Sequence, residues 1–515
     1  MKKFILRLYV VSLLLALVTV SCTKDFDEIN TDPNKPPKFS TPYLLTSFQE
    51  FMTDNYYDEW FGGRFSYIYA QYWSQMSYTD ESRYLNRENT INSWWNYCYA
   101  GRDIDPPDGA YNGGGIIDLI EIIRLNTDEE TRDDAALLGG ANVNQIAVAR
   151  ILKAFSLQIM TDTWGDIPYT EAFQGAENPL PVYTSQSVIY GDLLNELDEA
   201  QQQIDETAAA VSGDIIYGGD MAKWKKFANS LRLRVAMRMS KVPAGSLPSG
   251  VSSINAVIND AVADGVFESN ADNAVLKYLG LVPNNHPLNE NAKTRSDFAI
   301  SEPFVALLNS YADPRVNFYG ALPADTSIHE VTGFPYGLTR IGATALNDNT
   351  FSRVDGTGPD PTGNFSGVYA PDAPAVLMDY AEVCFILSEA NNYDQTEYEN
   401  GITASCEFWG VDEADITTYL ASVPAALAQT VAEQKYIALY VQNNQGWCEW
   451  RRTGYPVLGL PEGGIMEPGL TEIPRRMYYP FDEETNNTAN WSAACQAQGW
   501  GDTDLLDDRV WWDVE

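Results

Sequence analysis

The chain has 515 residues, with 71 acidic against 33 basic side chains and a formal net charge of −38. That sign repels phosphate backbones, which proteins bind by neutralising them with Lys and Arg, so the charge argues against nucleic-acid binding. Hydrophobic residues at 45% and charged residues at 20% are ordinary globular composition; the 30 Tyr and 13 Trp fill a large core, and a few of their rings are available to stack on sugars or other flat ligands.

The chain opens with Lys2 and Lys3 ahead of an apolar run interrupted by Arg7. From Leu8 to Val20 the charge-free stretch is short for a membrane span. Two readings of residues 1–21 compete, a signal anchor that stays in the bilayer and a signal peptide that is removed, and the resemblance at Cys22 favours the signal peptide. Thr19, Val20 and Ser21 precede Cys22 as in a bacterial lipobox, although Thr19 stands where Leu is common. In that motif the cysteine thiol is alkylated by diacylglycerol and the chain is cut before it, so Cys22 is the expected lipidation site. The acidic "TKDFDEIN" that follows resembles the surface-export signal of Bacteroidetes lipoproteins, and residues 22–39 read as a polar, proline-bearing tether.

Residues 40–240 read as helical. Apolar residues recur at helical spacing in "TPYLLTSFQEFMTDNYYDEW" (Leu44, Phe48, Met52) and in "GGGIIDLIEIIRLN" (Ile116, Leu119, Ile123). The same holds for "NVNQIAVARILKAFSLQIMTDTWG" (Val148, Leu152, Phe155, Ile159), which ends at Gly165. "SQSVIYGDLLNELDEAQQQID" and "MAKWKKFANSLRLRVAMRMS" continue the pattern. Residues 241–374 are rich in Gly, Pro, Asn and Asp and read as a loop-rich inserted region, where binding residues often sit. Residues 375–515 return to helical stripes in "APAVLMDYAEVCFILSEANNY" and "TVAEQKYIALYVQNNQGWCEWRRTG". Small residues such as Ala149, Ala154, Ala200 and Ala390 permit close helix approach, which suggests stacked helical hairpins of the tetratricopeptide kind without a clean 34-residue repeat.

The residue inventory is poor in enzyme motifs. There is no HExxH, GxSxG or P-loop, and the two histidines, His286 and His329, sit in polar loops and read as surface residues. Triad chemistry and a His-rich metal site are disfavoured. A glycosidase needs only two placed carboxylates, and with 71 acids the sequence does not select a pair. "RDIDPPDG" and "DTDLLDD" lack the register of a calcium loop and read as acidic turns, so structural calcium is not indicated and no cofactor or metal is expected. Cys98, Cys384, Cys406, Cys448 and Cys495 show no metal spacing and are an odd set, so they read as small buried hydrophobes rather than a disulfide framework.

Several segments in order carry a resemblance. "DEINTDPNKP", "ARILKAFSLQIMTDTWGDIPYTEAF", "VYTSQSVIYGDLLNELDEA", "GDMAKWKKFANSLRLRVAMRMS", "DPRVNFY", "VLMDYAEVCFILSEA", "QKYIALYVQNNQGWCEWRRTGYP" and "EIPRRMYYPFDEETNNTANW" resemble the SusD/RagB family of nutrient-binding outer-membrane lipoproteins, in its SusD-like branch. The resemblance implies a mostly α fold of four tetratricopeptide-like hairpins with an irregular ligand-binding part. It implies a lipid-anchored protein at the cell outer membrane, facing outward. Its partners would be an oligosaccharide or peptide ligand and a SusC-like TonB-dependent transporter, with no catalysis. The alternative is a surface glycoside hydrolase on a helical scaffold.

The family marks are architectural. Arg232, Arg234, Arg238, Arg451, Arg452, Arg475 and Arg476 are expected to pair with acids or backbone carbonyls inside the scaffold. For the ligand, the expectation is a shallow aromatic platform formed by an early loop and the irregular middle. Residue type and loop position select Tyr78, Arg83, Tyr84 and Trp94 from the former, and Asn284, His286, Phe334 and Tyr336 from the latter. Each has a plainer role open to it, as a loop anchor or core residue. Trp94 and Trp95 are adjacent on one helix, so at most one of them is expected to face the core fully.

Overall fold

A computed structural model describes residues 40–101, 113–354, 367–501 and 503–515. The signal peptide, the tether, Cys22 and the "RDIDPPDG" segment lie outside the described residues. Residues Thr41–Glu515 form one unit.

The first helix, α1 (Thr41–Tyr57), buries Leu44, Phe48 and Met52, the stripe expected from the four-residue spacing. Asp58 then stops the α-helical register: its carboxylate accepts the N–H groups of Trp60 and Phe61 at 2.8 and 2.7 Å and starts a π-helical turn, Glu59–Ser66. Next come α2 (Glu88–Ala100), α3 (Ile116–Thr127), α4 (Asn142–Trp164), α5 (Gln186–Gln203) and α6 (Met221–Arg238). Helix α4 packs on α3 and α5, and α5 packs in turn on α6, so each helix covers the apolar stripe of the next. This makes α4 buried nearly all round, and it ends at Gly165, whose φ of +90° suits glycine and whose N–H reaches back to Thr161 at 2.8 Å. Among the described residues no single helix is long and apolar enough to cross a membrane.

The C-terminal helices α9 (Tyr380–Ala390), α10 (Gln395–Phe408), α11 (Ala428–Ala438) and α12 (Gln445–Thr453) stack in the same way, α9 on α10 and α11, and α11 on α12. Helix α6 joins the two sets by packing on α9. The chain is thus mostly α, built from tetratricopeptide-like pairs.

The middle region is more regular than its composition suggests. It holds α7 (Ile254–Asp264), which packs on α6, and α8 (Glu302–Tyr311), capped by Ser301 with Pro303 in its first turn. Helix α7 carries an apolar spacing, Ile254, Val257, Ile258 and Ala261, masked in the sequence by the Gly, Pro and Asn around it. Among the described residues there are three antiparallel strand pairs: β1 (Trp73–Gln75) with β5 (Phe298–Ile300), β2 (Ile167–Pro168) with β3 (Tyr183–Thr184), and β4 (Ala274–Lys277) with β6 (Pro374–Met378). Strand β6 runs across the boundary expected between 374 and 375, so the middle region is hydrogen-bonded into the C-terminal half rather than ending before it.

The motif arginines are internal ties. Arg234 of α6 bonds Glu382 of α9 at 2.6 and 2.9 Å and the Leu377 carbonyl of β6 at 2.9 Å, with both charged side chains 1% exposed. Arg452 bridges Glu449 and Glu389, and Lys435 also reaches Glu449, at 3.0 Å. Arg232 bonds Asp260 and Asp264, Arg238 sits 3.5 Å from Asp162, and Arg476 bonds Asp504. Arg451 donates to the carbonyls of Arg475 and Asp162 at 2.6 and 2.7 Å, and Arg475 reaches Asp513 at 3.4 Å. Cys98, Cys384, Cys406, Cys448 and Cys495 are all buried and unpaired.

Candidate functional site

The β1–β5 ribbon brings the early loop to the middle region. Trp73 pairs with Ile300 and Gln75 with Phe298, and the Met76 N–H continues the ladder to the Asp297 carbonyl at 2.8 Å. Beyond Met76 the chain turns, and Gln75 shapes the turn from inside: its Oε1 accepts the Ser82 N–H at 2.8 Å and its Nε2 donates to Glu81 at 2.7 Å. Tyr78 lies at the tip of this loop, 46% exposed, with φ of +55°. Two guanidinium groups of the middle region stand over its ring, Arg295 at 5.3 Å and Arg340 at 5.9 Å from the centroid, and leave part of the ring exposed.

Beneath the loop runs a buried charge network. Arg64 bonds Asp297 at 2.6 Å and Glu81 at 3.3 Å. Arg295 also holds Asp297, at 2.7 Å, and Arg87 stands 3.7 Å from Glu81. The Glu59 carboxyl borders the network; burial raises its pKa, and one of its oxygens has no hydrogen-bond partner. Trp60 lies under Arg64 and Arg87, at 5.0 and 5.8 Å.

The other residues expected at the platform have different surroundings. Arg83 spends its donors on the Gly463 and Gly464 carbonyls, both at 2.7 Å, and so latches a distant loop. Tyr84, fully buried, packs edge-on to Tyr69 at 5.5 Å. Trp94 packs on Phe61 and Phe65 and is buried. Trp95 is buried as well, against Trp164 and Tyr479, which corrects the expectation that only one of the pair faces the core: α2 lies between two aromatic clusters. Phe334 is a core residue against Phe351, and Tyr336 is buried with its hydroxyl on the Ile68 carbonyl at 2.8 Å. Asn284 is half-buried and donates to Glu50 at 2.7 Å.

His286 differs most from its expected place. It is 3% exposed, not a surface residue. Its Nδ1 accepts the Leu288 N–H at 3.2 Å as the cap of the short helix Pro287–Ala292, and burial lowers its pKa to about 3. His329 is exposed. Tyr84, Trp94, His286, Phe334 and Tyr336 therefore offer no ring face to the surface, and of the aromatics picked from the sequence Tyr78 alone does so. Its neighbours Arg295 and Arg340 escape a sequence reading; neither belongs to a motif, and strand pairing carries the stretch before β5, with Arg295, to Tyr78.

Concavities lie elsewhere. One of about 190 Å³ is lined by His286, Tyr57, Tyr67, Trp409 and Tyr440, and a more open one of about 520 Å³ by Trp95, Tyr99, Phe173, Pro168 and Glu483. Among the described residues one group of acids has metal-ligand spacing, Asp198, Asp260 and Asp264. The Arg232 guanidinium bonds all three, which supplies the positive charge they need from the protein itself. In "DTDLLDD", Asp504 is engaged with Arg476 and Asp508 accepts the Leu505 N–H at 2.9 Å.

These features define a class: a helical scaffold, cross-tied by buried arginines, that carries exposed polar and aromatic side chains on loops. A family described as starch-binding and associating with the outer membrane, the SusD-like family, matches residues 33–480, and the chain belongs to it. No curated protein matches. Among solved structures, a chitin-binding protein superposes with a TM-score of 0.76 at 25% identity, over 92% of this chain and 100% of its own. A SusD homologue from Bacteroides uniformis gives 0.71 at 24%, over 92% and 99%. A chitin-binding SusD homologue from Flavobacterium johnsoniae gives 0.72 at 23%, over 92% and 99%.

Proposed function

We propose that the protein is a lipid-anchored, outward-facing outer-membrane binding protein. It captures an oligosaccharide, or a peptide, and passes it to a SusC-like TonB-dependent transporter without catalysing a reaction. The observation that carries the reading is the family match across residues 33–480. The exposed Tyr78 with two guanidinium groups beside it supplies a surface of the right chemistry: a ring for stacking, and donors for hydroxyl or anionic oxygens. Binding of this kind needs no metal and no cofactor.

The test is affinity electrophoresis of the soluble domain through gels containing chitin oligomers, starch or other glycans, with reducing ends measured alongside. Retention without new reducing ends is expected. New reducing ends would show a glycosidase instead, and migration unchanged by every glycan and peptide tried would overturn capture. The anchor is tested separately. Cys22→Ala is expected to lose outer-membrane fractionation, and a variant that fractionates as wild type does refutes the lipid attachment.

A further inference from the structure

We propose that the Tyr78 loop selects saccharides carrying an anionic group, a uronate carboxylate or a sulfate ester, with Arg340 as the main partner of that group and Arg295 as the second. The inference rests on the capture reading and names its ligand class.

The charge accounting around the loop carries it. The protein has 71 acids for 33 bases, and several of its buried arginines are matched to carboxylates, Arg234 to Glu382, Arg315 to Asp313 and Arg452 to Glu449. Arg340 is the contrast: it is exposed, stands by the exposed Tyr78 ring, and has no ion pair among the described residues. Arg295 gives Nε and Nη2 to one oxygen of Asp297, at 3.0 and 2.7 Å, and its Nη1 has no hydrogen bond among the described residues. Glu81 and Asp297 are each shared between two arginines. Arg64, Arg87 and Arg295 thus share two carboxylates, with Glu59, whose charged form burial disfavours, at the border, and Arg340 adds a further cation at Tyr78.

Geometry adds a second argument. A guanidinium presents its N–H groups in a planar fork that matches carboxylate and sulfate oxygens. Held beside an aromatic ring, such a fork can take the acid group while the ring takes the adjacent sugar face. Tyr78 itself occupies the left-handed backbone region, which costs a non-glycine residue about 1 kcal/mol or more. Nearly half exposed, the side chain recovers little of that by burial. A ring held at such a cost in water is accounted for by what it meets there.

The net charge sets a further limit. At contact range the arginines attract an acid group, while acid groups of a longer chain that reach past them meet the acidic surface of the protein within the screening length of about 8 Å at physiological salt. The expected ligand is a short oligosaccharide with isolated acidic groups, not a dense polyanion.

The experiment is calorimetric titration with matched pairs: trigalacturonate against its carboxyl-reduced neutral form, and a monosulfated galactan disaccharide against its desulfated form. At least one charged member should bind about tenfold or more tightly than its neutral partner. Arg340→Gln should abolish the difference, and Tyr78→Leu should weaken both members of the pair. Arg340 is exposed and has no ion pair among the described residues, so the variant should keep the wild-type melting temperature. Equal binding of charged and neutral members, or a preference that survives Arg340→Gln, overturns the inference. Retention of neutral glycans only overturns it and leaves capture standing, whereas loss of all ligand binding across the wider glycan and peptide panel overturns capture as well.

Discussion

Replacing His286 with Asn removes one titrating group and keeps an acceptor at the helix cap it serves. In the folded protein Nδ1 accepts the Leu288 N–H, so a proton placed there would turn one donor against another inside a buried site. The imidazole consequently stays neutral down to about pH 3, whereas in the unfolded chain it protonates below about 6.5. Between those values the unfolded state binds more protons, so stability is complete above about pH 6.5 and is lost as the pH falls. Each pH unit below 6.5 costs about 1.4 kcal/mol, which gives about 2 kcal/mol at pH 5. Asp166 and Asp379, whose pKa values burial raises to about 7 and about 6, act in the opposite direction, because the folded state holds their protons longer. They are present in both proteins and cancel in the comparison. Urea unfolding of wild type and His286→Asn between about pH 7.5 and about pH 5 should therefore show wild type losing about 2 kcal/mol relative to the variant. A difference that does not change with pH, or that changes in wild type's favour on acidification, refutes the reasoning.

Three further outcomes are expected. Arg234→Met strands the buried Glu382 carboxylate and should cost about 3–5 kcal/mol by denaturant unfolding, while the double variant Arg234→Met/Glu382→Leu should recover most of it; additive losses in the double variant would count against a mutually dependent pair. Trp94→Ala should cost about 3–5 kcal/mol, as for any large buried ring, and a loss below about 1 kcal/mol would show that the ring is not part of the packed core. Tyr78→Gly should leave stability unchanged or raise it by about 1 kcal/mol, since glycine accepts the left-handed backbone, and should abolish ligand binding; a large loss of stability would reassign Tyr78 to the scaffold.

The scaffold was legible in the sequence because its causes are local. Leu44, Phe48 and Met52 mark a buried face through spacing alone, and Gly165 marks a helix end through its backbone freedom. The arginines of "WKKFANSLRLRVAMR" were readable as structural because cations inside an apolar stripe need internal partners. What could not be read is set by long-range pairing. Tyr78 meets Arg295 only because β1 and β5 pair, and β6 crosses an apparent boundary because β4 needs a partner. His286 looked polar in its loop, yet the chain around it folds the ring inward to cap a helix. Loop aromatics posed the same problem: residue type could not separate Tyr84, which packs on Tyr69, from Tyr78, which faces water.

That division bears on how one scaffold serves different ligands. The ties that hold the helices together, Arg234 to Glu382 and Lys435 to Glu449, are buried and point away from solvent. A change at any of them strands a charge in the interior and costs stability, whatever the ligand. Substitutions at Tyr78 and Arg340 meet no such penalty, because these side chains are exposed. The architecture can thus stay fixed while loop chemistry varies, in keeping with solved structures that share this fold at 21–25% identity. The chemistry of what is bound should then be sought in the loop arginines rather than in the helical motifs that mark the family.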